Sequence, residues 1–280
     1  MKILAIDTAT EACSAALLVD GQLAAREMEF ERGHAEHILS MVDAVLAEGG
    51  VALTSVDAIA FGRGPGGFTG VRLAASVTQG LAFASGLPVV PISDLAAVAQ
   101  RALDMDPSVA GVVVCNDARM REVYWGCFER SAEGFATAVG VERVGAPETV
   151  DLRPHWRTSA LATSRGASSM EIPPSMEIPK ESGQALLGAR PALIGAAGRG
   201  FRAYAELRSK LLAASTDAPS KLTALSVDGP RVQLISDEIL PRAHEIARLA
   251  VIEVQAGRLR PPEEAIPVYL RDDVARPTPS

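Results

Sequence analysis

Phe61-Gly62-Arg63-Gly64-Pro65-Gly66-Gly67-Phe68-Thr69-Gly70-Val71-Arg72-Leu73 is the stretch on which the fold turns. The run leading into it, Val56-Asp57-Ala58-Ile59-Ala60-Phe61, is short and apolar, as a buried strand requires. The segment from Thr69 to Gly86 contains no proline and reads as a helix. Between strand and helix lie Gly62, Gly64, Gly66, Gly67 and Gly70. A glycine loop in that position can aim backbone N–H groups and a helix dipole at an anion. It also lets one backbone approach another closely. The residues do not fit GxxxxGK(S/T), so a P-loop is excluded. Spacing alone favours a tight strand-to-helix turn.

Working outward, Lys2 to Ile6 reads as a strand ending at Asp7. Ser14 to Val19, then Asp20-Gly21, then Gln22 to Phe30 reads as a hairpin, because Asp-Gly between apolar segments is a strong hairpin signal. His34 to Glu48 carries Ile38, Met41, Val42, Val45 and Leu46 at helical spacing. Pro88 to Ile92 is another buried strand, and Ser93 or Asp94 caps a helix through about Leu103. Residues 1–104 thus read β-β-β-α-β-α-β-α, a mixed sheet covered by helices.

The theme restarts after Asp104 to Pro107. Val109 to Cys115 reads as a strand, Asn116 to Arg121 as a turn, Glu122 to Phe128 as a strand and Phe135 to Val141 as a third. Thr158 to Arg190 holds a tandem repeat, Ser169-Met170-Glu171-Ile172-Pro173 and Ser175-Met176-Glu177-Ile178-Pro179, and reads as a surface insertion. Ala192 to Gly195 is a strand leading to the loop Ala196-Ala197-Gly198-Arg199-Gly200, with a helix expected from Phe201 to about Ala214. Pro241 to Gln255 is a helix closed by Gly257. Pro267 to Arg271 is a closing strand or arm, and the tail 274–280 is expected to fray. The expected domains are 1–104 and 105–273.

Composition bounds the function. The 280 residues are 48% hydrophobic, enough for real cores, and the net charge is −7. Such a chain does not hold nucleic acid by bulk charge. Cys13, Cys115 and Cys127 form no CxxC and no even framework, which points to a reduced, cytoplasmic protein. The apolar run at the N-terminus is too short for a signal peptide, and no stretch of about 18 apolar residues suggests a membrane span.

Two domains that each open with strand, acidic turn and strand resemble the duplicated actin/hexokinase fold, two α/β domains each with a mixed sheet flanked by helices. In that superfamily the acid after the first strand positions metal and phosphate. Asp7 with Thr8, Asp117, Gly195 and Gly198 occupy the corresponding points and form a candidate reduced nucleotide site. Asp7-Thr8-Ala9-Thr10 lacks the glycine that the superfamily places just after the acid.

Gly64 to Arg72 further resembles the GPGSFTGLR signature of the bacterial tRNA threonylcarbamoyladenosine biosynthesis family TsaB (YeaZ), with Gly67 where that family usually has serine. Ile3 to Thr8, His34-Ala35-Glu36, Asp117 to Tyr124 and Pro267 to Arg271 extend the resemblance over most of both domains. It implies a non-catalytic subunit that holds a TsaD transferase in its working conformation. TsaE, an ATPase, completes the machinery, and tRNA meets the complex. ATP and metal are then expected in the partner subunits, with no cofactor in this chain. The resemblance also implies a helix bundle with TsaD or with a second copy, built on His34, His37, Ile38, Met41, Val45, Arg72, Ala75, Ser76 and Gln79. Its helix from Thr69 is thin, lined by Gly70, Ala74, Ala75, Thr78 and Gly80.

Arg119 and Arg121 flank a turn and are candidates to touch tRNA phosphates. His34 and His37, three apart on a helix, admit a metal reading, but HExxH spacing is missing and no third ligand is placed by spacing, so a helix start with exposed histidines is favoured. No catalytic residue is assigned. Two alternatives stay open: an independent ATP-dependent kinase-like enzyme and a metallopeptidase.

Overall fold

In the computed structural model the described residues are 1–152, 193–212 and 231–271. The expected insertion near 158–190 and the tail 274–280 lie outside them. Strand β1 (Lys2–Asp7) pairs antiparallel with β2 (Ala12–Val19) and parallel with β4 (Ala58–Gly62). β3 (Gln22–Glu29) turns back on β2 through Asp20 and Gly21, whose φ values of 48° and 89° are the two positive angles that a tight Asp-Gly hairpin demands. β5 (Val89–Ile92) completes the order β3-β2-β1-β4-β5.

The second sheet repeats the first. β6 (Gly111–Asp117), β7 (Val123–Arg130) and β8 (Ala136–Ala138) run antiparallel, and β10 (Leu193–Ala197) and β11 (Arg231–Ser236) join β6 in parallel. Read from β8 the order is β8-β7-β6-β10-β11, strand for strand that of the first sheet. The expected duplication is thus a duplication of topology. A short strand β9 (Arg143–Gly145) adds to the start of β7. Neither β9 nor β11 announces itself in the sequence.

Helix α1 (His34–Gly49) and helix α2 (Phe68–Ser85) cover one face of the first sheet. Alternation along β1 sorts the faces. Leu4 and Ile6 meet Ile38, Met41, Val45 and Ala75, whereas Ile3 and Ala5 face the opposite core. Each fully buried Leu, Ile or Phe there contributes about 1.5–3 kcal/mol.

The opposite core is shared between the two halves. Helix α3 (Asp94–Met105) follows the first sheet in the chain but packs against the second. The expected helix from Phe201 to Ala214 is interrupted. α4 (Gly200–Ala203) ends at Tyr204, and α5 (Ala205–Leu212) follows. Both lie beside the outer core of the second sheet, around Phe201, Leu207, Trp125 and Val232. The last helix, α6 (Ala243–Gln255), returns to cover the first sheet. The halves therefore exchange helices, and Leu95, Val98 and Leu103 share one cluster with Ile246, Leu249 and Ala250. Residues 267–271 form an arm rather than a strand. The Val268 N–H donates to the Arg63 carbonyl at 2.7 Å.

Candidate functional site

The glycine loop binds its own chain. The Gly67 N–H donates to the Ala9 carbonyl at 2.7 Å, and the Thr8 hydroxyl donates to the Gly70 carbonyl at 2.7 Å. The Gly64 N–H donates to Asp94 Oδ2 at 2.5 Å. A Cβ on Gly70 would overlap the Thr8 carbonyl oxygen. The loop is glycine-rich because two backbones touch there, and its N–H groups are not an open anion cradle.

Asp7 ends β1 and is fully buried, as is Thr8. Asp7 Oδ1 accepts from the Ala9 N–H at 2.9 Å. Its other oxygen, like Asp94 Oδ1, meets no donor among the described residues except the facing carboxyl. Burial pushes Asp7 up to about 6 and Asp94 well above the usual carboxylate range, which favours a proton held on the pair. Ser93 caps α3, accepting from the Ala96 N–H at 3.2 Å, and donates to Glu142, which Arg63 reaches at 3.3 Å.

The structure places the members of the candidate nucleotide set in different surroundings. Asp7 and Thr8 are sealed beneath the loop. Gly195 packs against Ile235, and Gly198 against the Cys115 carbonyl. Asp117 alone of that set lines a cleft, of about 450 Å³, between the two halves. Asp117 is also engaged, by the Arg119 N–H at 2.8 Å, by the Tyr204 hydroxyl at 2.9 Å and by the Arg119 guanidinium at 3.3 Å. Arg119 lines the same cleft with Glu11, Arg199 and Arg202, which the sequence did not single out. Arg121 points to solvent, and its nearest acid, Glu206, is 3.8 Å away.

The candidate partner face divides into buried and exposed residues. Ile38, Met41 and Val45 are buried in the first domain's own core, and Ala75 is only 3% exposed there. Small residues on α2 seat it against its own sheet, because a thin helix packs closest where the backbone of a sheet is nearest. The two histidines are committed to local contacts. His34 Nε2 lies 2.9 Å from the Thr10 carbonyl, and the His37 ring stacks on Phe30 with centroids 4.6 Å apart. Gln79 is half-buried and donates to the Pro262 carbonyl at 3.3 Å.

What α2 offers outward is a stripe of Phe68, Arg72, Ser76 and Phe83. Phe68 is 54% and Phe83 59% exposed. The Arg72 guanidinium lies 3.5 Å from the Phe68 ring centroid, and its Nε donates to the Tyr269 hydroxyl at 2.6 Å. The arm thus fixes an exposed Phe–Arg–Tyr group. Phe68 stands inside the signature, but its exposure is a tertiary fact.

The family model for TsaD, tRNA N6-adenosine threonylcarbamoyltransferase, matches residues 28–231. The tRNA threonylcarbamoyladenosine biosynthesis protein TsaB of Haemophilus influenzae is 51% identical over 125 residues, covering 45% of this chain and 52% of that protein. The protein of the same name from Escherichia coli is 44% identical over 153 residues, 55% of this chain and 66% of that one. The chain's match thus spans about half to two-thirds of the length of these relatives. The solved structure of YeaZ from Pseudomonas aeruginosa is 36% identical, covers 96% of this chain and 99% of that chain, and superposes with a TM-score of 0.69. The chain belongs to the TsaB (YeaZ) group of the TsaD family.

Proposed function

We propose that the chain acts in making threonylcarbamoyladenosine in tRNA, as a non-catalytic subunit that docks a TsaD-type transferase through the exposed stripe of α2. The observation that carries this reading is the contrast between two places. Asp7, the acid that a metal–nucleotide enzyme of this fold would need, is locked in a carboxyl pair. Phe68, Arg72 and Phe83, residue types that dominate interface energetics, stand open. In this reading transfer chemistry, ATP and metal belong to the TsaD-type and TsaE-type partners, tRNA is met through the complex in the cytoplasm, and a second copy of the chain competes for the same stripe. No helix among the described residues is long and apolar enough to cross a membrane.

The test mixes the chain with the TsaD-type and TsaE-type proteins of its own organism and measures complex formation and tRNA modification. The expected result is a complex, with modification only when the chain is present. Full modification without it defeats the reading. The kinase-like alternative keeps one supporting observation, the cleft at Asp117. Stoichiometric ATP binding by the chain alone would favour that alternative.

A further inference from the structure

The arm at residues 267–271 is a strap between the two halves. Among the described residues it joins no sheet. At one end the Val268 N–H donates to the Arg63 carbonyl at 2.7 Å, just after β4. The two backbones are close there, since a Cβ on Gly64 would come within 2.8 Å of the Val268 carbonyl oxygen. At the other end the Arg271 guanidinium donates to the Ala118 carbonyl at 3.1 Å and pairs with Glu122. Ala118 and Glu122 flank the turn between β6 and β7. The Arg271 side chain is only 16% exposed, so its fixed fork of donors is used inside the molecule.

The turn that receives Arg271 has a fixed and unusual shape. Arg119, Met120 and Arg121 have φ of 61°, 53° and 61°, and none is glycine. Such a conformation persists only where the surroundings hold it. Arg271 grips both ends of this turn, and its guanidinium lies 3.6 Å from the Met120 sulfur between them.

Tyr269 lies between the two anchors of the strap. It is 45% exposed and belongs to no helix or strand, so Val268 and Arg271 determine where it stands. Its hydroxyl accepts from Arg72 Nε at 2.6 Å, and its ring centroid is 6.1 Å from that of Phe68. An arginine on a helix surface ordinarily samples many rotamers. Held against Tyr269 before a partner arrives, Arg72 loses less freedom on binding.

We propose that Arg271 is a positioning residue for partner docking. It ties the arm to the turn of the second half, and the tied arm holds Tyr269 against Arg72, so that Phe68 and Arg72 meet the partner already arranged. This rests on the reading of the α2 stripe as the docking surface for a TsaD-type transferase, and it names what arranges that surface.

The experiment measures the affinity of the full chain for the TsaD-type protein, with circular dichroism and melting as fold controls. Arg271→Ala should bind weaker by about fivefold. Arg271→Lys should recover part of the loss, because the charge stays and the fork goes. Glu122→Gln, on the far side of the anchor from α2, should weaken binding by about twofold. Arg271→Ala combined with Tyr269→Ala should bind within about twofold of Tyr269→Ala alone, because Arg271 acts through Tyr269. In the free chain, the Val268 amide of Arg271→Ala should exchange its hydrogen about fivefold faster. Phe68→Ala tests the docking reading separately. If it binds like wild type, that reading falls and this proposal with it. If Phe68→Ala loses binding and a folded Arg271→Ala does not, the proposal alone is overturned. Full additivity of the Arg271→Ala and Tyr269→Ala losses overturns it too. Should Arg271→Ala fail to fold, Arg271→Lys and Glu122→Gln decide, and unchanged affinity in both overturns it.

Discussion

Asp7 and Asp94 face each other as a buried carboxyl pair, where β1 ends and α3 begins. One oxygen of each is satisfied by backbone, Asp7 by Ala9 and Asp94 by Gly64, so the pair ties the first acidic turn to the glycine loop. Both carboxyls hold protons more tightly folded than unfolded, because burial penalises their charged forms. Stability from this pair is present in mild acid and is lost as pH rises from 3.8 through about 6 and beyond. Wild type should therefore melt higher near pH ~5 than near pH ~8. Asp94→Asn keeps an acceptor for Gly64 and supplies a permanent N–H to Asp7. It should raise the melting temperature at the alkaline end and flatten the profile. A variant that melts lower than wild type at both ends would show that no proton is shared.

Glu245 works in the opposite direction. Burial alone would raise it, but His244, 3.2 Å away, and Arg242, donating at 3.0 Å, hold its carboxyl at about 2. Its stabilisation is present above 4.5 and is lost as pH falls toward 2. Glu245→Ala leaves Arg242, among the described residues, with Glu27 as its acidic partner, at 3.4 Å across the two halves. The expected loss is about 3 kcal/mol, read by urea unfolding at neutral pH. A loss within about 0.5 kcal/mol would mean that Glu27 suffices.

Ala75 and Ser76 are neighbours with opposite fates. Ala75→Glu buries an unpaired charge in the cluster with Ile38 and Val45, and should cost about 3 kcal/mol or more. Ser76→Glu is exposed and should change stability by under about 0.5 kcal/mol. Yet Ser76→Glu should block co-elution with a TsaD-type partner, because it sets a charge in the middle of the α2 stripe. A folded Ser76→Glu chain that binds the partner unchanged places the interface elsewhere.

Gly67 and Gly70 separate the two uses of glycine in the loop. Gly67 is the N-cap of α2 in an extended conformation, without a side-chain cap, and a Cβ there meets only the Ala9 carbonyl at an ordinary 3.5 Å. Gly67→Ser adds a hydroxyl that can accept from the first turn, and should stabilise by a few tenths of a kcal/mol, about 1 °C in melting temperature. Gly70→Ala forces a methyl into the Thr8 carbonyl and should lower the melting temperature by many degrees. Tolerance of Gly70→Ala would mean that the two backbones separate freely.

The local patterns of the chain settled its elements. The Asp20-Gly21 turn, the alternation of Leu4 and Ile6 with Ile3 and Ala5, the three- and four-residue spacing of Ile38, Met41 and Val45, and Ser93 as a cap are read from residues a few positions apart, because backbone sterics and amphipathic periodicity act at that range. The duplicated layout was legible for the same reason. β9 and β11 were not, because short strands take their pairing from a neighbour far along the chain. The site was decided by tertiary structure. An apolar stripe says that a helix face is covered but not by what, so Ala75 and Val45 pointed equally to a partner and to the domain's own sheet. An acid after a strand is open or sealed according to what folds over it, and here the glycine loop and Asp94 seal Asp7. The cleft sets Glu11 of one half against Arg119 and Arg199 of the other, charges whose meeting no local pattern encodes.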